Sequence, residues 1–251
     1  MTNAENPWDT LAPQGEAAYQ ISEPEAWYDA DNLLLAEPVI LEYLASQIAD
    51  PSGVQALDFG CGDGRFAARL SKLGYTVQGV DSSSKIIAAA QARYGTEVSF
   101  NVGGIETIPD EPTYNVVTSL MTLQFIADFE PAIRHLAAAL KPGGTLVLAV
   151  FNPEFISDWI KAGDADYVGF DSVDNPTKGT LQFGPVEIPT YIRTAAQYNK
   201  LAASCELAPA LEAYPPFTEE FLAKYPVNGP TVHPEHMILA YQKSEAVSAK
   251  R

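Results

Sequence analysis

Five consecutive residues, Gly60-Cys61-Gly62-Asp63-Gly64, close a short apolar run that carries a carboxylate at Asp58. Alternating glycines lack Cβ atoms, so the backbone bends tightly and lets a ligand come close. The helix expected over Arg65–Leu73 presents free N–H groups beside this turn, which suits an anionic ligand group, carboxylate or phosphate. Asp58 either accepts from a ligand ammonium or orders the turn. Asp81 ends the next apolar run, about 20 residues on, where an acid reaches the two ribose hydroxyls of an adenosine-containing ligand. An Asp before a helix is also an N-cap, but Ser82, Ser83 and Ser84 can supply that cap.

Other chemistry-bearing residues are scattered. His233 and His236 lie in a Pro-rich loop, where a histidine of near-neutral pKa can remove a proton or simply stand by. His135 belongs to a helix and reads as structural. Three separated histidines and the distant Cys61 and Cys205 lack metal-ligand spacing, so no metal is expected.

Elements that alternate along the chain must position these groups. Apolar strands are expected at Val54–Phe59, Thr76–Val80, Val98–Val102, Tyr114–Leu120 and Thr145–Phe151. Helices are expected between them at Arg65–Leu73, Ser82–Arg93 and Asp128–Leu140. This rhythm predicts an α/β fold: a Rossmann-like, doubly wound, mostly parallel sheet with ligands at the carboxyl ends of its strands. An amphipathic helix over Asn32–Ile48 precedes it, with Leu34, Val39, Leu41, Leu44 and Ile48 as core contacts. The rhythm breaks after Phe151, then resumes with a helix at Thr194–Ser204 and strands at Leu207–Tyr214 and Met237–Gln242. The expected organisation is an N-terminal helical flap (1–34), a ligand-binding core (35–151), a substrate-side insertion after the fifth strand (152–190), and a C-terminal completion of the core ending in an antiparallel strand (191–251).

The formal net charge is -17, from 32 acidic and 15 basic residues, and it repels phosphate backbones, so a nucleic-acid partner is not expected. The start lacks a cationic stretch followed by an apolar one, and Leu146–Phe151 is too short to span a bilayer. Two cysteines do not make a disulfide framework. A cytoplasmic protein without a membrane partner is expected. Nothing in the sequence fixes an oligomeric state.

The glycine turn, Val80-Asp81-Ser82-Ser83-Ser84, Ile105-Glu106-Thr107-Ile108-Pro109 and Ile133–Gly144, with its Leu140-Lys141-Pro142-Gly143-Gly144 helix stop, share their order and spacing with one family. Over about Leu35–Phe151 the chain resembles the class I S-adenosylmethionine (SAM)-dependent methyltransferases, especially small-molecule enzymes with ubiquinone-methyltransferase-like cores. The resemblance implies SAM as cofactor, S-adenosylhomocysteine as product, and a small-molecule methyl acceptor. Asp58, Gly60, Gly62 and Gly64 would then face the methionine end of SAM, Asp81 the ribose, and Gly104 and Ile105 the adenine, with Ser82 and Ser119 also on the cofactor side. The family often has an acid where Gly104 stands, so the adenine amino group loses that acceptor. Tyr191-Ile192-Arg193-Thr194 resembles a Tyr-His-Arg-Thr segment of some relatives. Arg193, with Tyr191, is thus a candidate substrate clamp, or a helix-start ion pair. Tyr19 and Tyr28, with Trp8 and Trp27, would face the acceptor or sulfonium, or pack the flap onto the core. Two rivals share the cofactor half: a non-catalytic SAM-binding regulator, and an NAD-dependent oxidoreductase. The second would show Gly-x-Gly-x-x-Gly, whereas here the third glycine arrives one residue early.

Overall fold

The computed structural model describes residues 6–11 and 27–245. Its helices are α1 (Pro7–Leu11), α2 (Trp27–Asp31), α3 (Glu37–Gln47), α4 (Arg65–Lys72), α5 (Ser84–Tyr94), α6 (Phe129–Ala139), α7 (Pro153–Ala162), α8 (Ala195–Ala203) and α9 (Glu219–Lys224). Its strands are β1 (Gln55–Phe59), β2 (Thr76–Asp81), β3 (Ser99–Val102), β4 (Tyr114–Leu120), β5 (Leu140–Phe151), β6 (Tyr167–Val168), β7 (Lys178–Phe183), β8 (Val186–Tyr191), β9 (Leu207–Ala213) and β10 (His236–Lys243).

Seven strands form one sheet in the order β3-β2-β1-β4-β5-β10-β9. Strands β1 to β5 pair in parallel, and β10 runs antiparallel to both β5 and β9. This is the α/β architecture expected, with its antiparallel C-terminal strand. Strand order reverses between β1 and β4, and a crevice opens at such a switch point beyond the carboxyl ends of the strands. One apolar layer packs α6 and α8 on the sheet through Ile133, Leu136 and Leu201, and the other packs α3, α4 and α5 through Ile40, Leu70 and Ile87.

Local chemistry explains the element starts nearest the crevice. Gly64 begins α4 from the left-handed region, at φ 79°, where a Cβ is disfavoured. Ser83 caps α5, its side chain accepting from Ile86 N at 3.1 Å. Thr194 and Gln197 form a reciprocal capping box at α8.

Two expectations are corrected. The helix over Asn32–Ile48 is not continuous: Asn32–Ala36 form a π-helical turn in which Glu37 N–H reaches Asn32 O, five residues back. Pro38 follows and has no N–H to donate to Leu34 O, so an α-helical ladder is interrupted there. The extra residue shifts the buried stripe, so Leu35, Ile40 and Leu44 are buried while Leu34 stays 45% exposed. The segment after Phe151 is also more regular than its Gly, Pro and Asp content suggests. It forms α7, capped by Asn152, and a separate antiparallel sheet β6-β7-β8. Phe155, Trp159, Leu181 and Ile192 give it a core of its own. Among the described residues, no helix is long and apolar enough to cross a membrane.

Candidate active site

A cavity of about 720 Å³ opens at the crevice, lined by the ends of β1, β2 and β4 and by residues from α1 and the π-helical turn. The glycine turn forms its floor. Gly60 N and Cys61 N donate to Val80 O at 2.7 and 3.1 Å, which fastens the turn to β2. Gly60, Gly62 and Gly64 have φ of 73°, 52° and 79°. A Cβ on Gly60 would sit 2.0 Å from Thr122 Oγ1, and one on Gly64 2.6 Å from the Phe100 ring, whereas one on Gly62 would meet nothing within 4 Å. Two glycines therefore permit close packing, and Gly62 leaves backbone open to the cavity.

Acids surround that floor. Asp58 is 2% exposed and accepts from Thr118 Oγ1 at 2.9 Å. Burial pushes its carboxyl up to about 7 despite the Thr118 bond. Glu37, at the start of α3, pairs with Arg69 at 2.5 Å, yet burial raises it to about 7 as well. Asp81 accepts from Gly62 N at 3.1 Å with one oxygen and from Ser83 N at 2.9 Å with the other. Burial raises its pKa, while the Ser83 and Gly62 amides lower it. Each oxygen retains a further acceptor direction for a ligand. Among the described residues, the resulting wall holds Glu37, Asp58, Asp63, Asp81 and Asp128 against the one cation Arg65.

Ser82, Gly104 and Ile105 also line the cavity. The Glu106 carboxylate folds back to accept from Gly104 N at 2.9 Å, which occupies an amide beside the position of the missing acid. Ser119 does not line the cavity: it is fully buried within β4, and Leu120, Met121 and Thr122 beyond it form the wall.

The downstream candidates lie elsewhere. His233 Nδ1 sits 2.7 Å from Asp158 Oδ2 beside a separate cavity of about 250 Å³. His236 is 1% exposed at the start of β10 and contacts Asn32 Oδ1 from behind the wall. Arg193 is buried and donates to Leu123 O, Ile126 O and Ala127 O at 2.9, 2.6 and 2.9 Å. Its guanidinium lies 4.2 Å from the Phe129 ring centroid and 5.4 Å from that of Tyr191. It braces the loop after β4 and does not line the cavity, three of its five N–H donors being engaged by carbonyls inside the protein. Tyr191 packs with it, away from the cavity. Tyr19 and the Tyr28 side chain lie outside the described residues.

The wall joins a residue the sequence pointed to with others it did not. Trp8 packs edge-on against Phe125 at 4.9 Å and near Phe183 of β7 at 6.2 Å, so the insertion backs the wall without lining it among the described residues. Asp9 anchors α1 beside the site, accepting from Ser83 Oγ at 2.6 Å and Lys85 N at 3.2 Å. Met121 has φ 50°, a conformation unusual for a side chain of this kind, at the wall where β4 ends. The aromatic richness of the N-terminus pointed to Trp8; nothing local pointed to Asn32, Leu33 or Met121.

Comparison with known proteins agrees with this geometry. A family model described as a methyltransferase domain matches residues 56–144. The ubiquinone biosynthesis O-methyltransferase of Xanthomonas campestris pv. campestris (strain B100) is 30% identical over 182 residues, covering 67% of this chain and 74% of that protein. A SAM-dependent methyltransferase from Mesorhizobium loti superposes with a TM-score of 0.63 at 19% identity, covering 80% of this chain and 96% of that one. Magnesium protoporphyrin IX methyltransferase from Synechocystis PCC 6803, with bound S-adenosylhomocysteine, gives a TM-score of 0.59 at 19% identity, covering 95% and 93%. The switch-point cavity, its glycine floor and its strand-end acids thus belong to an enzyme that uses SAM, and the chain is a member of the class I SAM-dependent methyltransferases.

Proposed function

We propose that this enzyme methylates a small, uncharged or cationic molecule with a flat apolar part, held between Trp8, the Asn32–Leu33 turn and the Met121–Ile126 segment. SAM would occupy the inner half of the cavity. There the open Gly62 backbone and Asp58 would meet its methionine end, Asp81 and Ser82 its ribose, and Gly104 and Ile105 its adenine. The observation that carries the acceptor reading is the composition of the wall. It is aromatic at Trp8 and Phe125, and among the described residues it holds five acids against one guanidinium, with Asp58 and Glu37 raised by burial to about 7 and Asp63 paired with Arg65. Such a field suits a sulfonium and opposes an anionic acceptor. The cavity volume falls within the range of about 300–1,000 Å³ typical of small-ligand sites. The name of the Xanthomonas relatives, O-methyltransferase, favours a hydroxyl as the acceptor group.

Transfer proceeds by displacement at the methyl carbon, so the protein's contribution is alignment and exclusion of water. No histidine lines the cavity among the described residues. Proton removal from the acceptor would fall to a carboxylate such as Asp128 or Glu37, or to water. The net charge of -17 argues against a nucleic-acid acceptor, and unpaired Cys61 and Cys205 suit a reducing, cytoplasmic setting.

A labelled-methyl assay with paired acceptors tests the proposal. Neutral hydroxylated aromatics should be methylated, and their carboxylated counterparts should react at least about tenfold less efficiently, the effect of roughly 1.4 kcal/mol of repulsion. Preferential methylation of the carboxylates, or of protein or RNA, would refute it.

A further inference from the structure

Two carboxylates and an imidazole converge behind the cavity wall. Asp31, the last residue of α2, and His236, the first of β10, are both fully buried. Ligand atoms of Asp31, Glu235 and His236 all lie within 4.8 Å of one another. His236 Nδ1 is 3.9 Å from Asp31 Oδ2, too far for a hydrogen bond.

Surrounding bonds determine which atoms remain available. His236 Nε2 donates to Asn32 Oδ1 at 2.9 Å, so Nε2 carries the proton and Nδ1 turns a lone pair toward Asp31. Asp31 Oδ1 accepts from Asn32 N at 2.6 Å. Asp31 Oδ2 and Glu235 Oε2 are buried and have no hydrogen-bond partner. Three acceptor atoms therefore face one another out of water, an arrangement that is costly unless something positive lies between them, a proton shared by the Asp31 and Glu235 carboxyls or a cation.

We infer that Asp31, Glu235 and His236 bind one divalent cation of the first transition row, zinc being the best fit. Two carboxylates neutralise its charge, and a mixed oxygen and nitrogen set selects such ions over magnesium or calcium. The Nε2–H bond to an amide oxygen is the outer contact that usually orients a ligating histidine. Zinc bonds of about 2.0–2.2 Å require the three atoms to draw in by roughly 1 Å, within the reach of side-chain rotation.

The ion would be structural. It joins α2 to the first residues of β10, elements whose contact spans a sequence separation of 204 between Asn32 and His236. Asn32 itself lines the active-site cavity, so a filled site would hold that part of the wall in place. Sequence spacing gave no hint of this site, because one ligand comes from near the start of the described chain and two from near its end.

The test uses the full chain, stripped with a chelator and then titrated calorimetrically with zinc chloride alone. One ion should bind per chain and raise the melting temperature. Cobalt(II) should give visible bands of a nitrogen- and oxygen-ligated ion. Asp31→Asn and Glu235→Gln should each weaken zinc binding at least about 100-fold, and Asn32→Ala, which removes only the outer contact, by about tenfold. Where a ligand variant fails to fold, the cobalt spectrum of the unmutated chain still decides. A folded, stripped chain that binds neither ion overturns the inference, and so does unchanged affinity in both ligand variants, which would place the ion elsewhere.

Discussion

Asp81 Oδ2 accepts the Gly62 N–H at 3.1 Å, tying the end of β2 to the most open residue of the glycine turn. Its other oxygen accepts from Ser83 N, so one carboxylate organises the turn and the start of α5 together. The alternatives seen in the sequence, cap or ligand acceptor, are not exclusive: Ser83 caps the helix with its own hydroxyl, and Asp81 keeps acceptor capacity facing the cavity.

Asp81→Ala should therefore weaken both binding and folding. Hydrogen bonds to a charged group contribute about 1.5–3 kcal/mol each, so SAM affinity should fall at least about tenfold. The melting temperature should also drop, since two backbone amides lose their acceptor. Calorimetry and thermal denaturation on one preparation check this. Unchanged SAM affinity beside a lowered melting temperature would leave Asp81 a purely structural role.

Asp58 and Glu37 give the enzyme a pH signature. Both are raised by burial to about 7, against about 4 in an unfolded chain. Their folded forms bind protons more tightly, so protons are taken up on folding between these values. Stability from these two groups is greatest below about pH 4, falls as pH rises toward about 7, and is level above that. A SAM ammonium beside Asp58 reverses the preference and favours the ionised carboxylate. SAM affinity should thus rise about tenfold from pH 5.5 to 7, with proton release on binding. Calorimetry in buffers of different ionisation heat measures both, and Asp58→Asn should remove the dependence.

Trp8 tests the acceptor wall. Trp8→Ala removes its edge contact with Phe125, worth about 1 kcal/mol, and one flat face of the cavity. The acceptor KM should rise roughly tenfold while SAM affinity changes little. Asp9→Ala, which frees α1 from Ser83 and Lys85, should shift the same parameter in the same direction. If both variants leave the acceptor KM unchanged, α1 is not part of the acceptor site.

What the sequence revealed depended on how local the determinants were. The β1 to β5 rhythm, the glycine floor and Asp81 are set by short-range periodicity and turn chemistry, and the structure has them in the expected elements. The π-helical turn was hidden because a single backbone bond from Glu37 to Asn32 shifts the phase of the buried stripe. Asn32 and Leu33 consequently face the cavity without any motif to announce them. Arg193 and His236 could each be read two ways for a different reason. A charged or titratable side chain near a loop resembles a ligand contact until its partners are known, and those partners lie 66–70 and 204 residues away.

Arg193 supplies the last expectation. Its two terminal nitrogens hold the carbonyls of Leu123, Ile126 and Ala127, and its plane lies over Phe129. That segment carries Phe125 and Ile126 into the cavity wall. Arg193→Ala strands three carbonyls around a buried hole and should cost about 3 kcal/mol or more of stability. Arg193→Lys should recover little of it, because one ammonium cannot reproduce a planar fork that reaches three acceptors. Both variants should raise the acceptor KM by loosening Phe125, and the Lys variant should do so at temperatures where it is still fully folded. Denaturant unfolding paired with steady-state kinetics separates the effects. A stable Arg193→Ala enzyme that fails only toward carboxylated acceptors would instead restore the substrate-clamp role.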